Sequence, residues 1–187
     1  MTITIDLTKA AKTDCDPNYL RECFEYDPSS GDIKWKDRPE SHFLSKKSWA
    51  TWKGKNKNLK SCGWINGNGY LLIRLDGKTI KSHRIAFAIH HGYMPEVVDH
   101  INGNRSDNRA CNLRAATHAK NLWNQPSRKP KSGVKGVYWK ESKKRWETTF
   151  LVNGSRKYAG SFKTIEEAAK AIEEKRNSCH GEFANHG

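Results

Sequence analysis

The sequence lacks long apolar runs, paired cysteines and an ordinary share of acidic side chains, and each shortage removes a class of protein. No window approaches the roughly 18 consecutive apolar residues of a membrane helix, and the mean hydropathy is −0.90. A membrane-spanning protein is therefore not expected. The cysteines Cys15, Cys23, Cys62, Cys111 and Cys179 are odd in number and widely spaced, with no close pair. Neither a disulfide framework nor a structural zinc site follows from such a pattern. The first residues, MTITIDLTKAAKTDCD, lack the basic flank and apolar run of a secretory leader, so a cytoplasmic location is expected. Acids number 20 against 34 Lys and Arg in 187 residues, a formal charge of +14. Such a surplus points to a polyanionic partner. Seven Trp, six Phe and six Tyr supply aromatic bulk for small cores.

The stretch from Gln125 to Gly133 has two prolines, three basic residues and no apolar side chain, and reads as an exposed linker over 126–132. Residues 1–125 hold 20 basic and 13 acidic side chains, net +7, and residues 126–187 hold 14 and 7, also +7, so charge is denser in the shorter part. Residues 34–60 carry nine basic and two acidic side chains interleaved with Trp35, Phe43, Trp49 and Trp52. Two readings fit this stretch: a solvated loop pinned by its aromatics, or a surface lying along a phosphate backbone. Further on, Asp76-Gly77 between Tyr70–Leu75 and Lys78–Lys81 signals a hairpin. Ser82 is then expected to cap a helix over 83–91 that Gly92 stops.

Residues 97–124 read as strand, polar loop, strand and helix, with Thr117 as the helix cap. This order can bring Asp99, His100 and Asn121 together. Hydrolysing a phosphodiester needs a base to activate water and positive charge to neutralise the phosphoryl oxygens. A histidine that is neutral near pH 7 serves the first need, and a hard divalent ion held by few protein oxygens serves the second. One carboxylate and one amide carbonyl meet that demand, although Asn and Asp also populate loops for local hydrogen bonding alone. The motifs Asp99-His100-Ile-Asn-Gly103-Asn104, Asp107-Asn108-Arg109, Asn112-Leu-Arg114 and Asn121-Leu-Trp-Asn124 resemble the HNH endonuclease family, and in particular its phage and intron-associated homing members. The likeness extends upstream through Tyr26-Asp-Pro-Ser-Ser-Gly31, Gly69-Tyr70 and His83-Arg84. It implies a ββα-metal core over about 97–124, Asp99 and Asn121 as metal ligands, His100 as general base and Asn112 as the residue that ties the loop. The implied cofactor is a divalent metal, Mg²⁺ first and Mn²⁺ second, with His118 as the competing ligand to Asn121. His83 matches a recurrent histidine to which no role is assigned.

The C-terminal part reads as three strands, over 132–140, 144–152 and 155–162, with Asn153-Gly154 as a tight turn. Thr164-Ile-Glu-Glu167 forms a capping box that opens an amphipathic helix. Alternation places Trp146, Thr148, Phe150 and Val152 on one face and Arg145, Glu147, Thr149 and Leu151 on the other. The pattern Gly-Val-x-Gly-Val, Tyr-x-Gly-x-Phe and Thr-x-Glu-Glu-Ala-Ala resembles the plant Apetala-two/ethylene-response-factor DNA-binding domain. That likeness implies Lys135, Tyr138, Lys140, Arg156 and Tyr158 as DNA-facing residues. A small basic module for protein or RNA is the other reading of the segment.

The expectation is thus an α+β chain: an HNH nuclease domain over 1–125, a linker over 126–132, and over 133–187 a three-stranded antiparallel sheet packed on one helix. It would act as a site-directed homing endonuclease on double-stranded DNA, as monomer or homodimer, in the cytoplasm of a phage-infected or bacterial host cell. The alternative is a non-catalytic DNA-binding regulator that retains a degenerate HNH fold.

Overall fold

A computed structural model of the chain describes residues 16–56, 62–126, 130–152 and 154–187. Residues 1–15 with Cys15, residues 57–61 at the end of the basic stretch, part of the linker at 127–129 and Asn153 lie outside the described residues. The architecture mixes helices with several small sheets, and the chain divides into two compact units, Met1–Arg114 and Ala115–Gly187. No helix among the described residues is long and apolar enough to cross a membrane.

The first unit opens with α1 (Pro17–Cys23), whose first turn is capped by Asp16, followed by the hairpin β1 (Phe24–Tyr26) and β2 (Ile33–Trp35). Helix α2 (Lys46–Lys55) carries a capping box between Ser45 and Ser48. Strands β3 (Trp64–Ile65), β4 (Leu71–Leu75) and β5 (Lys78–Lys81) form a second sheet. The β4–β5 turn has Asp76 at φ 47° and Gly77 at φ 82°, the pair of positive values that a two-residue turn of this twist requires. Helix α3 (Ser82–His91) buries Ile85, Ala86, Phe87 and Ala88, which pack with Leu20, Phe24, Ile33, Ile73 and Val98 into one core. Gly92 closes this helix in the left-handed conformation. Ser82, expected as its cap, is instead the first helical residue and is fully buried. Lys81 occupies the cap position without a side-chain bond, because the Ser82 hydroxyl is directed into the protein to meet Asn108.

The basic segment after β2 is pinned by one cation. Arg38, 2% exposed, has its guanidinium carbon 4.6 Å from the Phe43 ring centre, with the Trp52, Trp35 and Tyr19 rings at 5.6, 5.7 and 5.9 Å. Its Nη2 donates to Tyr19 Oη at 2.7 Å and to Asp76 Oδ1 at 2.8 Å, and its carbonyl accepts from Trp49 Nε1 at 3.0 Å. The aromatics of this stretch therefore serve a cage around Arg38, while the lysines of α2 remain on the surface.

Strand β6 (Val97–His100) pairs with β7 (Leu113–Ala116), which begins in the first unit. Within the second unit, Thr117 caps α4 (His118–Asn124) by accepting from Lys120 N at 3.3 Å. Strands β8 (Val137–Lys140), β9 (Arg145–Val152) and β10 (Ser155–Phe162) then form an antiparallel sheet in the order β10-β9-β8. A capping box between Thr164 and Glu167 starts α5 (Ile165–His180), which packs on the face bearing Val137, Trp146, Phe150 and Phe162. Strand β8 is shorter than the sequence implies, because Ser132 and the positive-φ residues Gly133 and Gly136 hold its approach in turns.

Replacing Arg38 by Met keeps the stem and removes the cation, leaving Asp76 and Tyr19 without their shared partner. Bonds to a charged group contribute about 1.5 to 3 kcal/mol each, reduced here because Asp76 is partly exposed. Arg38→Met is expected to lower unfolding stability by about 2 kcal/mol in a urea titration, with α2 amides losing hydrogen-exchange protection first. An unchanged midpoint would show that the cage is incidental.

Candidate active site and nucleic-acid interface

Strand β6 ends on Asp99 and His100, each 5% exposed. Neighbours in a strand point to opposite faces, so burying both requires cover on both sides. Arg114 supplies it for Asp99, its Nε donating to Oδ2 at 2.9 Å with Nη2 also 2.9 Å from that oxygen. Around His100 the cover is Asn108, whose Oδ1 lies 3.2 Å from ring Nε2, together with the His83 and Tyr70 rings at centroid distances of 4.7 and 6.2 Å. Burial lowers the His100 pKa, opposed by the Asn108 bond and by the charges of Asp99 and Asp107. Burial also brings His83 down to about 2, with His100, Lys81 and Arg84 adding to the effect, so that ring is neutral.

The loop from 101 to 112 is built from side chain to backbone bonds. Asn112 accepts from Asn102 N at 2.9 Å, donates to Asp107 O at 2.8 Å, and offers its own carbonyl to Ile101 N at 2.8 Å. Asp107 receives both forks of Arg109, at 2.8 and 2.7 Å, and Asn102 Nδ2 at 2.8 Å. The outer wall is the β1–β2 turn: Tyr26 Oη donates to Asn108 O at 2.8 Å, and Ala110 N to Pro28 O at 3.0 Å. At Gly31, φ +82°, an added Cβ would stand 2.7 Å from Arg109 N, so this close approach admits no side chain. Arg84 of α3, Arg105 and Arg109 of the loop and Arg114 of β7 each have a partner within the protein: Glu96 O, Asn68 O, Asp107 and Asp99.

Asp99, His100 and Asn112 are thus brought into one corner of the first unit. Asn121 and His118 lie on α4, in the second unit, where Asn121 N donates to Thr117 O at 3.0 Å. No group of three or more His, Cys, Asp or Glu side chains is gathered as a metal site among the described residues. Two neighbours of the site, Asn108 and Arg114, are given no role in the site by the sequence motifs. Both stand inside the quoted motifs, yet the bonds they make depend on tertiary contact.

In the second unit the sheet face away from α5 exposes Tyr138, Lys140, Arg156 and Tyr158, the last at 58%. Glu147 at its centre is bonded to Lys143 Nζ at 2.7 Å and Tyr138 Oη at 3.1 Å, which lowers its pKa. Lys135, expected beside these residues, lines one hollow with Tyr138 and Arg156. Its ammonium donates to the carbonyls of Gln125, Asn185 and Trp123 at 2.7, 3.0 and 3.3 Å. A cation spent on three acceptors is a structural clamp, and burial, with Arg176 nearby, lowers its pKa to about 8. The same clamp region has Trp123 stacked on His180 at 4.4 Å and 9°, and Lys120 Nζ 5.2 Å from the Phe183 ring.

A family model described as HNH endonuclease matches residues 81–122. Protein 3.8 of Escherichia phage T7 is 34% identical over 88 residues, covering 46% of this chain and 72% of that protein. An uncharacterized HNH endonuclease of Acanthamoeba polyphaga mimivirus is 29% identical over 124 residues, covering 65% of this chain and 64% of that protein. No solved structure matches the chain. The chain therefore belongs to the same family as phage T7 protein 3.8, and its residues 81–122, which include Asp99, His100, Asn112 and Asn121, are an HNH endonuclease domain.

Proposed function

We propose that this protein is a site-directed endonuclease of the homing type that hydrolyses phosphodiester bonds in double-stranded DNA, with His100 as general base. The observation that carries this reading is the buried pair Asp99 and His100 at the end of β6, inside a loop whose polar groups are satisfied from within. A ring that is neutral and held in place can accept a proton when water attacks. In that step the water proton passes to the imidazole, the oxygen bonds to phosphorus, and the bond to the leaving sugar oxygen breaks with its electron pair, the alkoxide then being protonated from solvent.

The donor set suits a hard cation: Asp99 is a buried carboxylate, and the Arg114 guanidinium holds it in a fixed orientation. Asp99 would be the principal ligand of a divalent metal, Mg²⁺ before Mn²⁺. Asn121 enters as second ligand on the sequence motif alone. When bound, such an ion neutralises charge on the phosphoryl oxygens. The net charge of +14 supports a DNA substrate. On the Apetala-two-like reading of the C-terminal unit, Tyr138, Lys140, Arg156 and Tyr158 contact the duplex, and Lys135 holds the backbone at Trp123, Gln125 and Asn185. One active centre per chain makes nicking the expected outcome for a monomer, whereas a two-fold homodimer would cut both strands.

With supercoiled plasmid and Mg²⁺, His100→Ala should slow cleavage by about 10² to 10⁴-fold and leave DNA affinity nearly unchanged. Near-normal cutting would remove the base assignment, and a wild-type protein that binds DNA but fails to cut it with either Mg²⁺ or Mn²⁺ would be the regulator instead.

The C-terminal residues separate by role. Lys140→Ala and Arg156→Ala should each reduce discrimination between target and unrelated duplex by about 1 to 3 kcal/mol in competition binding. Lys135→Met should leave that discrimination intact while amides of 118–124 exchange at least about tenfold faster, since charged hydrogen bonds worth about 1.5 to 3 kcal/mol are lost. Loss of discrimination in Lys135→Met without faster exchange would return that residue to the reading surface.

A further inference from the structure

We infer that Asn108 is the positioning residue of the general base, its side-chain oxygen receiving the Nε2 proton of His100 and so keeping the ring's basic lone pair on Nδ1. The inference rests on the reading of His100 as the base and adds the group that decides which ring nitrogen acts. Asn108 is 3% exposed and has no access to the substitutes that water would offer at a surface. Its amide is divided between two partners: Oδ1 lies 3.2 Å from His100 Nε2, and Nδ2 donates to Ser82 Oγ at 3.4 Å. A carbonyl oxygen accepts and cannot donate, so the ring nitrogen facing it carries the hydrogen. In a neutral imidazole the other nitrogen then holds the lone pair.

The side chain and the backbone of Asn108 are each held by neighbouring elements. Ser82 opens α3 with its hydroxyl buried, Tyr26 of β1 holds the Asn108 carbonyl at 2.8 Å, and Gly31 lets the β1–β2 turn close on the peptide that follows. The displaced cap at Ser82 is thereby explained: a hydroxyl committed to Asn108 is not available to the helix end. Asn112 does different work, because its amide bonds the backbone at Asn102 and Asp107. Asn112 sets the loop, and Asn108 sets the ring. The edge of His83 at 4.7 Å and 75° limits rotation of the His100 ring without competing for its proton.

The test uses the full chain and three substitutions. Asn108→Leu has similar volume and no acceptor, Asn108→Asp keeps the acceptor but loses the donor to Ser82, and Ser82→Ala removes only the partner of Nδ2. Under single-turnover conditions with saturating DNA, Asn108→Leu should cut about 10- to 100-fold more slowly with unchanged affinity, the usual cost of losing a group that orients another. Asn108→Asp and Ser82→Ala should keep most of the rate and lose thermal stability instead, which a purely structural role would not separate in this way. Long-range ¹H–¹⁵N NMR of the wild-type ring should show hydrogen on Nε2 of His100, a readout independent of activity and of whether Asn108→Leu folds. Hydrogen on Nδ1, or normal cutting by folded Asn108→Leu while His100→Ala is inactive, would overturn the inference and leave the base assignment standing. Normal cutting by His100→Ala would instead overturn the reading on which it rests.

Discussion

A carboxylate and an imidazole that leave water side by side must receive their hydrogen bonds from the chain, since an unpaired buried polar group costs more than most single contacts contribute. Asp99 and His100 are in that position, and much of the first unit is arranged to meet it. Arg114 answers the carboxylate, Asn108 answers the ring, and Asn112 holds the loop from which Asn108 projects. Behind them, Ser82, Tyr26 and the turn at Gly31 hold Asn108. The hydrophobic core of α1, α3 and the small sheets carries this polar shell, and Val98, one residue before Asp99, packs into that core.

The second unit solves a related problem with cations. Lys135 and Arg176 are drawn inward, Arg176 donating to Lys135 O and Lys135 to three carbonyls, while His180 Nε2 bonds Leu151 O at 2.7 Å. Arg176 and His180 continue the α5 stripe begun by Ala168 and Ile172 at four-residue spacing, so one face of the helix is apolar at its start and polar at its end. The polar end receives Trp123, which stacks on His180, and through it α4 becomes part of this unit. The helix carrying Asn121 and the exposed sheet residues Lys140 and Arg156 thus belong to one compact unit, while Asp99 and His100 belong to the other.

What could be read in the sequence was what short-range chemistry dictates. The Asp76-Gly77 turn, the Thr117 cap, the Thr164 capping box and the alternation along β9 all express preferences of a few adjacent residues, and they stand at the positions those preferences name. Asp99, His100 and Asn112 stood out through the likeness of their motifs to the HNH family, and they lie at the end of β6 and in the loop that follows it. Contacts between distant residues were not. Arg38 read as one more basic side chain until Tyr19 and Asp76 closed on it, and Lys135 read as a surface cation until Trp123, Gln125 and Asn185 turned their carbonyls toward it. Ser82 carried the composition of a cap, yet its bond to a residue 26 positions away outweighed the local preference.

The central claim is that the corner formed by Asp99 and His100 is where phosphodiester chemistry occurs. A crystal structure of the full chain with duplex DNA and Mn²⁺, read by anomalous scattering, addresses it most directly. The account predicts a manganese peak within bonding distance of Asp99, a DNA phosphate beside it, and the His100 ring turned to that phosphate with its bond to Asn108 intact. Metal and phosphate bound elsewhere on the protein, with Arg114 still bonded to Asp99, would contradict it.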